Sequence, residues 1–255
     1  MGINERVTWD IRDGIGILTL NNPPENYLYE PDFISEELRS SWQTNTGLKG
    51  MVIHGAGKHF SAGGDTKRMF ELMATDVDFE GRMAKGNFVL KQLQELNIPL
   101  VAAIHGVCFG GGLELALTCH IRVAGEHSLF AFPETGIHLM PGLGGIYRLM
   151  NHVGKAQSTR VILSGEIIDA EEALMINLID VIRPRHEVFE YAFNLAKRMT
   201  KEVPLPVIQS VIKAIRHAET LPENEAIREE SRLFCALALT EAKRREEHGQ
   251  GISHA

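Results

Sequence analysis

Short apolar runs separated by polar breaks open the chain and predict β-strands. Residues 7–11 and 15–20 are rich in apolar side chains, and Asp13-Gly14 between them readily adopts the positive φ angles of a tight turn. We therefore expect a β-hairpin at this point. Residues 21–26 contain two prolines, which cannot donate to a β-ladder, and this segment predicts a loop. Helical spacing of apolar positions follows over residues 31–42.

A strand, a glycine-rich loop and a helix follow one another twice in the middle of the chain. The apolar runs at residues 50–54 and 100–104 predict the two strands, and glycines and then helical periodicity follow each of them. Residues 121–124 and 128–131 predict two more short strands, which are too close together for an intervening helix. The pattern indicates an α/β fold with repeated β-loop-α units.

Helical periodicity dominates the last hundred or so residues of the chain. Because strands come first and helices last, we expect a core domain followed by a helical subdomain. The proline-containing segment Glu202-Val203-Pro204 predicts the break, which divides the chain into residues 1–200 and residues 201–255. The predicted helices cover residues 157–163, 169–175, 187–199, 207–218 and 223–239.

The composition is that of a globular protein with an acidic balance. The chain has 255 residues, 44% of them hydrophobic, and its 33 Asp and Glu outnumber its 26 Lys and Arg, giving a formal net charge of −7. Nucleic-acid binders gain much of their affinity from clustered Lys and Arg on phosphates, so this balance argues against a nucleic-acid partner. The most apolar stretch, residues 98–113, is interrupted by Pro99, His105 and four glycines, which predicts a core segment and no membrane span.

The cysteines and the N-terminal residues predict the cellular compartment of the protein. Cys108, Cys119 and Cys235 are an odd, sparse set without a CxxC pair, which is typical of free thiols in a reducing compartment. Residues 1–6 contain no apolar stretch of the kind found in secretory signals. We therefore expect a cytoplasmic protein with no membrane partner.

The first glycine-rich loop, residues 55–65, is a candidate for binding a negatively charged group. It fails the P-loop pattern, because Val52 and His59 stand where that motif needs Gly and Ser or Thr. His59 also replaces the first glycine of the serine-hydrolase elbow. The backbone N–H groups of Gly63 and Gly64 remain as donors, and a turn that simply requires glycines is the alternative interpretation.

The second loop, Gly110-Gly111-Gly112, follows a predicted strand and precedes the helical residues 113–119. Helix N-termini present unpaired N–H groups and the positive end of the helix dipole, so this loop could hold an oxyanion. Leu115 stands where a dinucleotide-binding motif needs its third glycine, which argues against that ligand. Tight packing between a strand and a helix is an equally good reason for the glycines.

Glu114 and Glu134 are acidic residues in apolar sequence surroundings. Glu114 stands among leucines and alanine, where an unpaired carboxylate is costly to bury, and Glu134 follows the apolar residues 130–133. A structural salt bridge is one interpretation of Glu114. General acid–base chemistry by the pair is the other, because burial raises the pKa of a carboxyl toward the operating pH.

Three groups of motifs resemble the signature of the crotonase (enoyl-CoA hydratase/isomerase) superfamily, most closely its two-glutamate hydratases. The motifs span nearly the whole chain in the order and spacing of that family. The resemblance implies a spiral of ββα units with a C-terminal helical trimerisation subdomain, assembled as a trimer or a dimer of trimers. The motifs are FSAGGD at residues 60–65, VAAIHG at 101–106 with GGGLELA at 110–116, and PETG at 133–136 with PGLGG at 141–145.

The resemblance also implies a ligand and its contacts. The substrate would be an acyl thioester of coenzyme A, with no permanently bound cofactor and no metal. Its carbonyl oxygen would accept hydrogen bonds from the N–H groups of Gly64 and Gly111, which agrees with the two candidate loops. The substrate contacts carried over by family position or motif are Asn26, Ala62, Asp65, Lys67 and Gly142.

Because both Glu114 and Glu134 are retained, the resemblance predicts syn hydration of a 2-enoyl-CoA or its reverse. Glu114 would deprotonate the water that attacks Cβ, and Glu134 would deliver a proton to Cα. A double-bond isomerase, which needs only one carboxyl, is the alternative, together with decarboxylation, hydrolysis and carrier-bound dehydration. The acidic balance and the two carboxyls argue against a non-catalytic acyl-CoA or RNA binder.

Two of the departures from the family's pattern lie at residue 120 and at residues 27–29. His120 stands where members usually have Asp, and we interpret it as a packing residue. Tyr27-Leu28-Tyr29 occupies positions where small residues are commoner, which predicts a reshaped acyl entrance.

Overall fold

The computed structural model describes residues 6–29, 33–75 and 78–247. The predicted helix start at Pro31 and residues 1–5 of the N-terminal segment lie outside the described residues. The chain folds into two compact units, Met1–Met199 and Thr200–Ala255.

The elements alternate between strands and helices in the first unit and are helical in the second. The strands are β1 (Val7–Arg12), β2 (Ile15–Leu20), β3 (Gly50–Gly55), β4 (Leu100–Ile104), β5 (Val107–Phe109), β6 (Ile121–Gly125), β7 (Leu129–Ala131), β8 (Ile168–Asp169) and β9 (Val181–Arg183). The α-helices are α1 (Glu36–Thr44), α2 (Thr66–Thr75), α3 (Phe79–Glu95), α4 (Gly111–Ala116), α5 (Gly145–Ser164), α6 (Ala170–Met175), α7 (Val188–Thr200), α8 (Leu205–Thr220) and α9 (Glu223–Glu247). Short 3-10 helices lie at Pro133–Ile137 and Arg185–Glu187.

The strands form two sheets. The larger has the order β1-β2-β3-β4-β6-β9 and the smaller has the order β5-β7-β8. The predicted hairpin is confirmed, because β1 and β2 pair antiparallel around Asp13 and Gly14, whose φ angles are 54° and 76°. Every other pair of the larger sheet is parallel, and its central strands are apolar on both faces, as expected for a covered parallel sheet.

The strands predicted at residues 121–124 and 128–131 both form, but they belong to different sheets. β6 pairs with β4, whereas β7 pairs with β5. The Ser128 hydroxyl donates to Ile104 O (3.2 Å), and Leu129 N–H donates to Gly106 O (2.8 Å). These bonds direct the chain out of the larger sheet directly after β6, and the short β7 leads into the segment that carries Glu134.

One face of α7 packs against the larger sheet. Val188, Ala192, Phe193 and Ala196 are buried at the spacing of an amphipathic helix, as the helical pattern predicted. They form one apolar cluster with side chains from β2, β3, β4 and β6. This cluster anchors the larger sheet, in which β3 leads into the first glycine-rich loop.

The second unit consists of α8 and α9, which contact each other. Pro204 precedes α8, where a missing N–H costs nothing. The predicted C-terminal helices are therefore confirmed. None of the helices in the described part of the chain combines the length and the apolar character needed to cross a bilayer.

Candidate active site

A cavity of about 480 Å³ lies where the two glycine-rich loops meet the segment after β7. Gly64, Gly111, Glu114 and Glu134 all line it. These residues come from separate parts of the sequence, and most of the other lining side chains are apolar. The cavity is therefore the candidate site.

Ser61 anchors the segment that follows β3. Its N–H donates to a β5 carbonyl (3.1 Å), and its carbonyl accepts from a β5 N–H (3.0 Å). Its buried hydroxyl donates to Asn26 O (2.8 Å) and accepts from Gly63 N–H (3.1 Å). These bonds fix the backbone just before Gly64.

The start of α4 lies directly against this segment. The helix begins at Gly111, after Gly110 with a φ of 48°. Gly63 has a φ of 89°, and a side-chain carbon there would lie 2.6 Å from Phe109 O. Only glycine permits this conformation and this approach. A side-chain carbon at Gly111 would lie 3.7 Å from Gly64 N, so the two loops bring these two glycines together.

The N–H groups of Gly64 and Gly111 are the candidate oxyanion donors. Neither donates a hydrogen bond to another residue of the described part of the chain. Gly111 is the first residue of α4, and the first N–H groups of a helix have no intrahelical acceptor. Two such donors can hold one oxygen that gains negative charge during a reaction.

Glu114 is buried, with 2% of its surface exposed. Its Oε1 accepts from the N–H of Leu143 (2.6 Å) and from the N–H of Gly145 (2.8 Å). Burial raises the pKa of Glu114, while these two hydrogen bonds and the charge of Arg148 lower it. The carboxyl is thus held in one orientation by partners that favour its ionised form.

Arg148 holds the loop that binds Glu114. Its Nη1 donates to Leu143 O (2.5 Å), so the same residue that donates to Glu114 accepts from Arg148. A side-chain carbon at Gly144, whose φ is 82°, would lie 2.6 Å from that nitrogen. The guanidinium therefore packs directly on the loop and supplies a positive charge near the buried carboxyl.

Glu134 lies in the 3-10 helix Pro133–Ile137, directly after β7. A side-chain carbon at Gly110 would lie 2.9 Å from Glu134 Oε1, which places this carboxyl beside the start of α4. Its Oε2 is buried and has no hydrogen-bond partner among the described residues. Burial raises the pKa of Glu134 to about 7, and the charge of Glu114 also raises it. A carboxyl with such a pKa can exchange a proton near neutral pH.

A family model described as enoyl-CoA hydratase/isomerase matches residues 10–252 of the chain. The chain belongs to this family. Its crotonase fold is shared with a solved structure from Geobacillus kaustophilus HTA426 that is described as an enoyl-CoA hydratase: the TM-score is 0.87 at 26% identity, over 96% of this chain and 93% of that one.

Two curated relatives are similar to this chain over most of their length. A Bacillus subtilis (strain 168) protein named "Probable enoyl-CoA hydratase" is 37% identical over 74% of this chain and 74% of its own. An Escherichia coli (strain K12) protein named "2,3-dehydroadipyl-CoA hydratase" is 35% identical over 88% of this chain and 87% of its own. The recognition of a hydratase-like crotonase is thereby confirmed.

The structure places the predicted substrate contacts of this crotonase in two groups. Ala62, Asp65 and Gly142 line the cavity, but Asn26 and Lys67 are not among its lining residues. Lys67 is exposed on α2. Asn26 is buried, and its Nδ2 donates to Ala56 O (2.9 Å) and His59 O (2.7 Å).

Sequence reasoning missed the residues that support Glu114. The motif PGLGG was recognised, but the hydrogen bonds from Leu143 and Gly145 were not, and Arg148 was not singled out. A carboxylate that is predicted to be buried requires hydrogen-bond donors. The glycine-rich motif PGLGG was the feature of the sequence that could have indicated them. His120 fits the packing interpretation, because its Nδ1 accepts from Leu100 N–H (3.0 Å) at the start of β4.

The described residues also bear on metal binding. They contain no group of three or more His, Cys, Asp or Glu side chains arranged to hold a metal ion. The arrangement in the cavity is two carboxyls and two backbone donors, which suits proton transfer next to a polarised carbonyl.

Proposed function

We propose that this protein is an enoyl-CoA hydratase that adds water reversibly across the 2,3 double bond of an enoyl-CoA, with Glu114 and Glu134 as its catalytic residues. The enzyme class agrees with the family and with relatives named as hydratases. One observation supports this assignment of roles: the carboxyls of Glu114 and Glu134 line the same cavity as Gly64 and Gly111, whose N–H groups are the candidate donors.

The N–H groups of Gly64 and Gly111 bind the thioester carbonyl in this mechanism. Hydrogen bonds from both donors withdraw electrons from the conjugated double bond and make Cβ electrophilic. They strengthen as the oxygen becomes enolate-like, and one such donor commonly contributes a few kcal/mol to stabilising a transition state. Because Gly111 begins α4, the helix dipole adds to this effect.

Glu114 acts as the base and Glu134 as the acid in the direction of hydration. Glu114 is held by two N–H donors and lies near Arg148, and these partly offset the rise that burial causes in its pKa. It takes a proton from water as the oxygen attacks Cβ. Glu134, whose pKa is raised to about 7, gives its proton to Cα. Different environments for two neighbouring carboxyls are the usual basis of such a division of roles.

The remaining parts of the proposal concern binding and assembly. Asn26, Ala62, Asp65, Lys67 and Gly142 are proposed to contact the coenzyme A thioester. The core, residues 1–200, would carry the site in a cytoplasmic enzyme, and residues 201–255 would carry the contacts of a trimer or a dimer of trimers. Exposed apolar side chains on α9 support an interface there; they include Ile227, Phe234 and Leu239.

The test is to follow the absorbance of crotonyl-CoA as its conjugated double bond is hydrated. We expect turnover by the unmodified protein, and losses of about a hundredfold or more in Glu114→Gln and in Glu134→Gln. Binding of the saturated analogue butyryl-CoA should change only a few-fold in both variants. Glu219→Gln, on the exposed side of α8, is the matched control.

Two outcomes would contradict this assignment. Turnover retained in both glutamine variants would exclude the two carboxyls as the catalytic pair. Conversion of 3-enoyl-CoA to 2-enoyl-CoA without net hydration would identify an isomerase instead.

A further inference from the structure

The charged side chains that line the cavity are all acidic. Among its described lining residues they are Asp65, Glu114 and Glu134, and no Lys, Arg or His lines it. Glu134 Oε2 is buried without a hydrogen-bond partner among the described residues, and it already faces the charge of Glu114. A carboxylate brought in by a ligand would meet acidic side chains and no cation among these lining residues.

Flexible apolar side chains form the walls around these carboxyls. Methionines come from α2, α3 and the segment after the 3-10 helix, so three separate parts of the chain contribute them. Met is unbranched and polarisable, and it adapts to apolar ligands of different shape. These apolar wall residues include Met69, Leu72, Met73, Met83, Ile137 and Met140.

Helix α3 closes one side of the cavity against the loop before α5. A side-chain carbon at Gly142 would lie 2.8 Å from Met83 Cε, so the thioether packs directly on this glycine. Asn87 Nδ2 donates to Gly142 O at 3.3 Å, one turn further along the same helix. The apolar wall is therefore in contact with the loop that also supplies donors to Glu114.

We propose that the acyl group of the substrate is a neutral hydrocarbon chain longer than crotonyl, and that the site rejects an acyl chain that ends in a carboxylate. This inference rests on the proposed function for its reaction, and on the charge and walls of the cavity for its substrate class. The proposed substrate differs from that of the relative named "2,3-dehydroadipyl-CoA hydratase". The acyl chain of 2,3-dehydroadipyl-CoA ends in a carboxylate.

Trans-2-hexenoyl-CoA and 2,3-dehydroadipyl-CoA are a matched pair of substrates, because they differ only in a terminal methyl against a terminal carboxylate. Burying a carboxylate without a cation or donors is strongly unfavourable, so we expect kcat/KM for the hexenoyl substrate to be at least about a hundredfold higher. Each methylene added to crotonyl-CoA should raise kcat/KM by up to about fourfold while it remains inside the cavity.

Met140→Lys should allow the site to accept an acyl chain that ends in a carboxylate. Met140 lines the cavity and is 65% exposed, so a lysine can lay its apolar stem along the wall and keep its ammonium near water. We expect the preference for hexenoyl over dehydroadipyl to fall about tenfold or more. Met140→Gln is the control of similar length without charge, and it should keep the preference. If Met140→Lys does not fold, Met73→Lys on α2, at 36% exposure, repeats the test.

Binding of the saturated pair, hexanoyl-CoA and adipyl-CoA, keeps this test independent of turnover. Tight binding of hexanoyl-CoA with weak binding of adipyl-CoA supports the inference even if no enoyl-CoA is hydrated, a result that would overturn only the proposed function. Equal hydration or equal binding of the members of each pair, within about threefold, would overturn the inference and leave the hydratase assignment standing. An unchanged preference in a folded lysine variant that binds hexanoyl-CoA normally would also overturn it.

Discussion

Glu134→Gln should make the protein more stable at alkaline pH while it removes activity. The carboxyl is buried, its Oε2 has no partner among the described residues, and its pKa is raised to about 7 from 4.5. The folded protein therefore holds a proton on Glu134 that the unfolded chain has already lost. Gln has the same shape and never ionises, so the variant escapes the cost of a buried charge.

The sign and size of this effect follow from the two pKa values. Between pH 4.5 and about 7 the folded state binds one more proton at this group than the unfolded state, so stability falls as the pH rises. A tenfold change in proton affinity corresponds to about 1.4 kcal/mol, and the interval from 4.5 to 7 gives about 3 kcal/mol. Below pH 4.5 the raised pKa of Glu134 does not change the free energy of unfolding. Above about pH 7 it lowers that free energy by the full amount of about 3 kcal/mol.

The assay is urea denaturation at fixed protein concentration, at pH 5 and at pH 8.5. The stability of Glu134→Gln relative to the unmodified protein should increase by about 2–3 kcal/mol between the two conditions. Glu219→Gln, an exposed glutamate on α8, should show no such increase. The same relative stability for Glu134→Gln at both pH values would refute the raised pKa and, with it, the role of Glu134 as a proton donor near neutral pH.

Three further predictions concern the supporting residues. Arg148→Met should raise the pKa of Glu114 and move the acidic limb of the pH–rate profile to higher pH. Arg148→Lys keeps the positive charge and should move this limb less. An unshifted limb in Arg148→Met would show that the charge of Arg148 does not affect Glu114. Gly110→Ala should lower kcat at least tenfold, because its side-chain carbon would lie 2.9 Å from Glu134 Oε1; unchanged kcat would contradict that contact. Asn26→Ala should lower the free energy of unfolding in urea by about 3 kcal/mol, because two carbonyls lose their donor; unchanged stability would contradict the structural role of these two bonds.

Much of the fold was predictable because local patterns determine it. The Asp13-Gly14 turn sets the first hairpin, and the spacing of apolar residues marks α7. The two glycine-rich loops and the two glutamates were identified from residue types, since positive φ angles and buried carboxyls leave clear marks in a sequence. These features depend on residues close together in the chain.

The features that sequence reasoning missed depend on contacts between distant segments. β6 and β7 have similar apolar patterns, but β6 pairs with β4 and β7 with β5, and the hydrogen bonds of Ser128 and Leu129 lie where the chain leaves the larger sheet. Leu143 and Gly145 donate to Glu114 through their backbones, so their side chains carry no sign of this role. The sequence around Arg148 gives no sign of its role, which depends on the contact with Leu143 O.

The support given to Glu114 bears on the choice between a hydratase and an isomerase. An isomerase moves one proton between two carbons, and a single carboxyl such as Glu134 is enough for that. Hydration needs a second group that activates water while the first protonates Cα. Burial raises the pKa of Glu114, and the two N–H donors and Arg148 offset part of that rise and hold the carboxyl in place. A second carboxyl fixed in the cavity beside Glu134 is what simultaneous removal and delivery of a proton requires, and this arrangement favours hydration.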